Sequence, residues 1–286
     1  MGKGNQGNMD ESNLVRAAEL IRDAKRIFIG AGAGMGVDSG LPDFRGDEGF
    51  WRAYPPYRHL GLAFVELANP TWFERDPRLA WGFYGHRLQL YQSTIPHPGF
   101  QILREWMTGI GDGWVFTSNV DGQFQKSGFS AAHIVECHGS LHHLQCVKSC
   151  TDAIWPADSA VVDVDPQTFR ARDPLPHCPR CGSLARPNVL MFGDGWWCET
   201  RTANQRAQFE RWIETLINGQ TVVVECGAGL AVPTVRYTCE LIAARWGTPL
   251  IRINPHEAEG PPGTLSLAGG ALEALTAIAA RLEMLH

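Results

Sequence analysis

Residues 26–51 read "RIFIGAGAGMGVDSGLPDFRGDEGFW", and how this stretch is read decides the fold. Arg26 to Gly30 is a short apolar run, read as a buried strand. Six glycines then fall within the 17 residues from Gly30 to Gly46. Small residues let a backbone come close to a pyrophosphate, and N–H groups with a helix dipole hold the anion. A dinucleotide-binding turn fits, although a glycine triplet taken alone fits a plain connector equally well. Pro42-Asp43-Phe44-Arg45 follows directly. A charged and aromatic segment there suits a flap over a cofactor, the ring shielding a reactive sugar and the arginine meeting phosphate or ordering the loop.

Outward from this turn the chain alternates. "SNLVRAAELIRDAKR" places Leu14, Ala17, Ala18 and Ile21 at helical spacing, with Ser12 or Asp10 as a cap. "PGFQILREWMT" is helical and "WVFTSN" a strand; "AQFERWIETLIN" is helical and "TVVVECG" a strand. "VPTVRYTCELIAARW" is helical, "PLIRIN" a strand, and "LAGGALEALTAIAARLEML" a closing helix. Short strands alternating with long helices predict an α/β fold, a doubly wound, Rossmann-like parallel sheet. Two segments break the rhythm: 47–95, rich in aromatics, Pro and His, and 140–191, which carries paired cysteines. They are expected to pack together as a smaller inserted helical and zinc-binding module. Residues 1–46, 96–139 and 192–286 would then form the dinucleotide domain.

Composition excludes several classes. Of 286 residues 44% are hydrophobic and 19% charged, enough to bury a core. The net charge of −5 and the lack of a basic run argue against nucleic acid as a partner. "MGKGNQGNMD" has no apolar h-region, and no stretch reaches the ~18 apolar residues of a membrane span. No membrane partner and a cytoplasmic location are expected. Eight cysteines include the pairs Cys146/Cys150 and Cys178/Cys181, spaced C-x3-C, 27 residues, C-x2-C. Four thiolates on two tight knuckles make a closed, structural zinc site. Cys137, Cys198, Cys226 and Cys239 are scattered and read mostly as small buried hydrophobes.

Gly30-Ala31-Gly32 followed by Ser39-Gly40-Leu41-Pro42-Asp43-Phe44-Arg45-Gly46 resembles the NAD-binding signature of the sirtuins, the NAD-dependent protein deacylases. The resemblance continues in order along nearly the whole chain. "TSNVDGQ", Thr117 to Gln123, is similar to the family's Thr-Gln-Asn-Ile/Val-Asp, which implies Asn119 and Asp121 at the nicotinamide, with Ser118 in place of Gln near the ribose. "ECHGSLHHLQC" supplies His138 before Gly139, by resemblance the general base for a ribose hydroxyl. An imidazole with an ordinary pKa near ~6.5 suits that role. His133, His142 and His143 read as structural. "RPNVLMFGD" resembles the segment lining the peptide cleft, implying substrate contacts at Val189, Phe192 and Gly193 and main-chain strand addition. "CGAGLAVPTVR" resembles the second phosphate loop, implying Gly227 and Gly229 near the cofactor; here Ala228-Gly229 replace Thr-Ser. Asn254 in "IRINPHE" is implied at the adenosine ribose, and Ala271 beside Gly270 at adenine.

Tyr84 and Arg87 form Tyr-x-x-Arg, on one face of a helix. The same pair in one sirtuin class binds the carboxylate of succinyl- or malonyl-lysine. The resemblance therefore implies a protein-lysine deacylase using NAD and zinc, acting on acylated lysine of a protein or peptide, with His138 and Asn119 catalytic. The products would be lysine, nicotinamide and O-acyl-ADP-ribose. ADP-ribosyl transfer or NAD hydrolysis is the alternative, since the glycine-rich loops depart from the family pattern. A silent binding module and a hydride-transferring dehydrogenase fit less well. The first lacks a reason for His138, Asn119 and Asp121 together, and the second lacks the acidic residue after the second Rossmann strand.

Overall fold

The structure is a computed structural model that describes residues 9–43, 50, 54, 55, 58 and 61–285. Its central sheet contains β1 (Arg26–Ala31), β2 (Gly113–Thr117), β3 (Ile134–Glu136), β7 (Thr221–Cys226), β8 (Leu250–Ile253) and β9 (Leu265–Leu267). A three-stranded antiparallel sheet holds β4 (Gly139–Cys146), β5 (Trp155–Pro156) and β6 (Ala185–Val189), in the order β5-β4-β6. The longer helices are α1 (Glu11–Asp23), α2 (Pro77–Ser93), α3 (Pro98–Ile110), α4 (Thr200–Glu214), α5 (Thr234–Trp246) and α6 (Ala271–Met284). Among the described residues no helix is long and apolar enough to cross a membrane.

The six central strands are all parallel and run in the order β3-β2-β1-β7-β8-β9. The chain builds outward from β1 on one side, then returns to add β7 on the other. The order reverses between β1 and β7, and in such sheets ligands bind outside the carboxyl ends of the strands at that switch point. Every β1 residue after Arg26 is buried. Ile27 and Ile29 pack with α1, α3 and α6, whereas Phe28 points to the opposite face against α4 and α5. Strands covered on both faces lose polar alternation and read as continuous apolar runs.

Helix ends follow their local chemistry. Asp10 accepts from Ser12 N at 2.9 Å and starts α1. Asp76 caps α2, whose first residue is Pro77. Gly111, at φ +84°, ends α3. The predicted helix over 207–218 runs over 200–214 instead, because polar Thr200 to Arg206 supplies its first turns. The two interrupting segments share one core: Phe73, Trp81, Phe83 and Tyr84 pack with Leu141, Leu144, Val162, Ala185 and Val189. Leu41, Val120 and Met191 extend that core toward the central sheet.

Candidate active site

Two glycine-rich turns meet at the switch point. Gly32 N donates to Cys226 O at 3.0 Å, and Gly34 N donates to Gly227 O at 3.0 Å. A Cβ on Gly32 would sit 2.7 Å from Ala228 Cα, and one on Gly34 2.7 Å from Gly227 Cα. Gly227, at φ +64°, has the reciprocal constraint, 2.4 Å from Gly34 C. These glycines first allow two backbones to interlock, a use the sequence reading did not assign to them. Gly30 serves packing too, since a Cβ there would meet Cys239 Sγ at 2.3 Å. Among the described residues no long α-helix directly follows the first turn. Ala33–Ser39 is a 3-10 helix ending at Gly40, φ +82°. Asp43 is half-buried, and Phe44 and Arg45 lie outside the described residues.

The Thr117–Gln123 turn folds over this floor. Ser118 N donates to Ala31 O at 3.2 Å and Thr117 Oγ1 to the same carbonyl at 2.9 Å. Asn119 is buried; its Nδ2 donates to Gly32 O at 3.0 Å, tying the turn to the first glycine loop. Asp121 accepts from Gln123 N at 2.9 Å, and its Oδ2 lies 3.7 Å from the place a Gly36 Cβ would take. Burial pushes the Asp121 carboxyl up to about 6, with Glu136 adding repulsion, so it gives up its proton late.

His138 joins the group from the other side. It lies between β3 and β4, with Cys137 N on Thr117 O at 2.9 Å and His138 O accepting from Leu190 N at 2.9 Å. The Ser118 backbone carbonyl favours the protonated form of its ring. Burial, then the nearby Arg206 cation, lower its pKa below the ordinary imidazole value, outweighing that carbonyl. At neutral pH the ring is therefore uncharged and can accept a proton. Gly139 must be glycine: at φ +78° a Cβ would meet Asn188 O at 2.1 Å.

Asn254, at the end of β8, is fully buried. Its Nδ2 donates to Ala228 O at 3.0 Å, and its Oδ1 accepts from His256 N and Glu257 N at 3.0 Å each. Both ends of the amide thus brace two loops. Ala271 starts α6, where Leu272 N donates to Asp38 Oδ2 at 2.8 Å. Val189 ends β6, Phe192 meets Phe64 edge-on at 6.0 Å, and Gly193 turns at φ +68°. The Leu190, Met191 and Phe192 amides already donate to His138 O, Asp194 Oδ2 and Ala68 O. An added strand would find carbonyls there, with those three donors taken. Asp194 forms a buried ion pair with Arg186.

The sulfurs of Cys146, Cys150, Cys178 and Cys181 lie within 4.8 Å of one another, with the Cys146–Cys181 and Cys150–Cys178 pairs at 3.6 Å. Tetrahedral corners around zinc, at a Zn–S distance of about 2.3 Å, lie about 3.8 Å apart. The donor set fits zinc with no position left for chemistry. Cys137, Cys226 and Cys239 are buried as expected, and burial pushes the Cys137 thiol up to about 12. Cys198 departs from that pattern, only half-buried with its thiol on Asp152 O at 3.3 Å.

A description of the Sir2 family matches residues 32–226, from the first glycine turn through the end of β7. The chain belongs to the Sir2 family. It is 32% identical over 276 residues to the zebrafish (Danio rerio) mitochondrial NAD-dependent protein deacylase sirtuin-5, covering 88% of this chain and 85% of that one. A crystal structure of a Sir2 homolog–NAD complex superposes with a TM-score of 0.71 at 27% identity, covering 99% of this chain and 98% of that one. A mutant Sir2 homologue with 2'-O-acetyl ADP ribose gives a TM-score of 0.69 at 28% identity, covering 97% and 98%.

Within this Sir2 fold, several residues that position the site were not singled out from sequence. His97 Nε2 donates to Met35 O at 2.8 Å while Nδ1 accepts from Gly99 N at 3.0 Å, clamping the first loop to the start of α3. Its place between Pro96 and Pro98 marks an N-cap but does not reveal the second contact. His142, read as structural, lies with Nε2 2.9 Å from Asp121 O and so props the turn that carries Asp121. Arg206 is one exposed-looking charge on a polar helix, and nothing in its spacing points to His138.

Proposed function

We propose that this protein is an NAD-dependent protein-lysine deacylase acting on acylated lysine of a protein or peptide. The observation that carries the reading is a convergence: Gly32 to Gly36, Asn119 to Asp121 and a neutral His138 meet at the switch point of a Rossmann-like sheet. NAD supplies an electrophilic sugar carbon whose bond to nicotinamide is exchanged for one to the acyl oxygen; a ribose hydroxyl and one water then displace the lysine nitrogen, so acyl-lysine, NAD and water give lysine, nicotinamide and O-acyl-ADP-ribose. Gly30, Ala31 and Gly32 form the floor under the phosphates, and Asp43 is assigned to the cofactor together with Phe44 and Arg45, which lie outside the described residues. Asn119 and Asp121 face the nicotinamide end, with Ser118 near the ribose. Gly227, Gly229 and Ala271 take the adenosine end, with Asn254 acting through the loops it braces. An uncharged His138 has a ring nitrogen lone pair with which to take the proton of a ribose hydroxyl.

The peptide runs beside Val189, Phe192 and Gly193, and Tyr84 with Arg87 select acyl chains that end in a carboxylate, as succinyl and malonyl do. Zinc on the four cysteines pins the smaller lobe. That lobe is residues 47–95 and 140–191, a division supported by their shared core; 1–46, 96–139 and 192–286 form the NAD lobe. A cytoplasmic location is supported by eight cysteines outside any disulfide, four of them in the zinc cluster and three more buried. The test is His138→Ala, assayed by peptide mass with NAD. Loss of deacylation with a retained melting temperature is expected, and undiminished deacylation would remove His138 from its role.

A further inference from the structure

Arg87 does not stand alone beside Tyr84. Its Nε and Nη2 both donate to Tyr91 Oη, at 3.1 and 2.7 Å, one helical turn further along α2. The guanidinium also lies over the rings of Phe83, Tyr84 and Tyr91, 5.2, 5.9 and 5.4 Å from their centroids. Arg87, Tyr84 and Tyr91 are all more than nine-tenths buried. A phenol oxygen that accepts two N–H bonds still carries its own proton. Among the described residues no acceptor meets that proton, and none meets the Tyr84 hydroxyl.

The cluster borders the reacting site. Tyr91 shares a core with Tyr84 of the same helix, with Val120 of the 117–123 turn, and with Val189 and Met191 of the proposed peptide segment. Gln123, which donates its amide N–H to Asp121, also reaches Tyr91 O through Nε2 at 3.5 Å. Lys126 Nζ donates to Gln92 O at 2.6 Å and Thr94 O at 2.5 Å, holding the end of α2 to the same turn. Both phenols carry their proton across the physiological range, because burial raises their pKa, that of Tyr84 to about 12.

We propose that Tyr91 is a third, specificity-determining arm of the acyl pocket: it fixes the Arg87 guanidinium and directs its own O–H at the distal carboxylate of a dicarboxylic acyl chain. This rests on the reading of Tyr84 and Arg87 as a carboxylate clamp and deepens it. The two bonds to Tyr91 orient the Arg87 guanidinium before substrate arrives, which lowers the ordering cost of binding. An acetyl group offers no carboxylate and gains nothing from either donor. Discrimination between the two acyl classes therefore grows with each hydroxyl in place.

The test uses matched acetyl-lysine and succinyl-lysine peptides with the full chain, Tyr91→Phe, Arg87→Met and the double variant. Two readouts are taken: the succinyl-to-acetyl ratio of kcat/KM, and calorimetric Kd values of both peptides. Tyr91→Phe removes one oxygen and keeps the ring. The ratio should fall about tenfold, the size of one hydrogen bond to a charged group, through KM and Kd rather than kcat. The double variant should lose little more than Arg87→Met alone, since the arms act as a unit. An unchanged ratio in Tyr91→Phe, with a fall in Arg87→Met, overturns the role of Tyr91 and leaves the clamp. An unchanged ratio in both variants overturns the clamp itself and the role of Tyr91 with it.

Discussion

Gly227 and Gly229 sit two residues apart in one loop and look equivalent in sequence, yet they should respond oppositely to alanine. At Gly227 the backbone is left-handed, φ +64°, and a Cβ would lie 2.4 Å from both Gly34 C and Met35 N. Both are main-chain atoms, so no side chain can swing aside. The left-handed conformation costs an L residue about 1–2 kcal/mol, and overpacking adds about 1–3 kcal/mol. Together that is roughly 2–5 kcal/mol, against a typical total of about 5–15 kcal/mol. In a chain of this size each kcal/mol moves Tm by about 2–4 °C, so a fall of roughly 4–20 °C is expected. At Gly229 the nearest atom is Glu257 Oε2 at 3.5 Å, the end of a flexible side chain. Gly229→Ala should stay within about 0.5 kcal/mol of the parent. Scanning calorimetry of both variants, with KM for NAD alongside, makes the comparison. Gly227→Ala should also raise that KM, because the interlocked turns are the crevice floor. If the two variants melt together, within about 2 °C of the parent, the interlock does not hold the site.

Removing the Arg206 cation by Arg206→Gln should shift the acid limb of kcat/KM to higher pH, because that charge helps keep His138 unprotonated; a pH–rate profile reads it. Asp121 has a carboxyl raised by burial from 3.8 to about 6, so the native state binds more protons than the unfolded one in that window. By linkage its contribution falls as pH rises through about 6, by at most about 3 kcal/mol. Asp121→Asn should therefore melt higher than the parent at pH 8, with the gain shrinking toward pH 5, while NAD turnover collapses. Cys178→Ser, or chelation under reducing conditions, should release zinc measurable by atomic absorption and lower the melting temperature, because metal binding to such sites is coupled to folding.

The central layers could be read from the chain because parallel strands buried on both faces leave unbroken apolar runs such as "RIFIG" and "TVVVECG", set between amphipathic helices. The cysteine spacing was equally legible, since four thiols on two knuckles have few other uses. The strands β3 and β9, three residues each, were too short to show a period. The β4–β6 pairing bridges residues 39 to 50 apart across an irregular connector, so no local pattern announces it. Site residues carried by motifs, such as Asn119, Asp121 and His138, do converge. Residues that act through a distant backbone atom left no local trace: Asp38 reaches Leu272, His97 reaches Met35, and His142 reaches Asp121. Asn254 shows the converse: a motif residue expected at a ribose spends both polar atoms on two loops.

The most direct test of the account is a mass-resolved product analysis of the intact protein incubated with NAD, with and without an acyl-lysine peptide. The account predicts that nicotinamide, deacylated peptide and O-acyl-ADP-ribose appear in equal amounts, and only when peptide is present. Release of nicotinamide and free ADP-ribose at the same rate without peptide would contradict it.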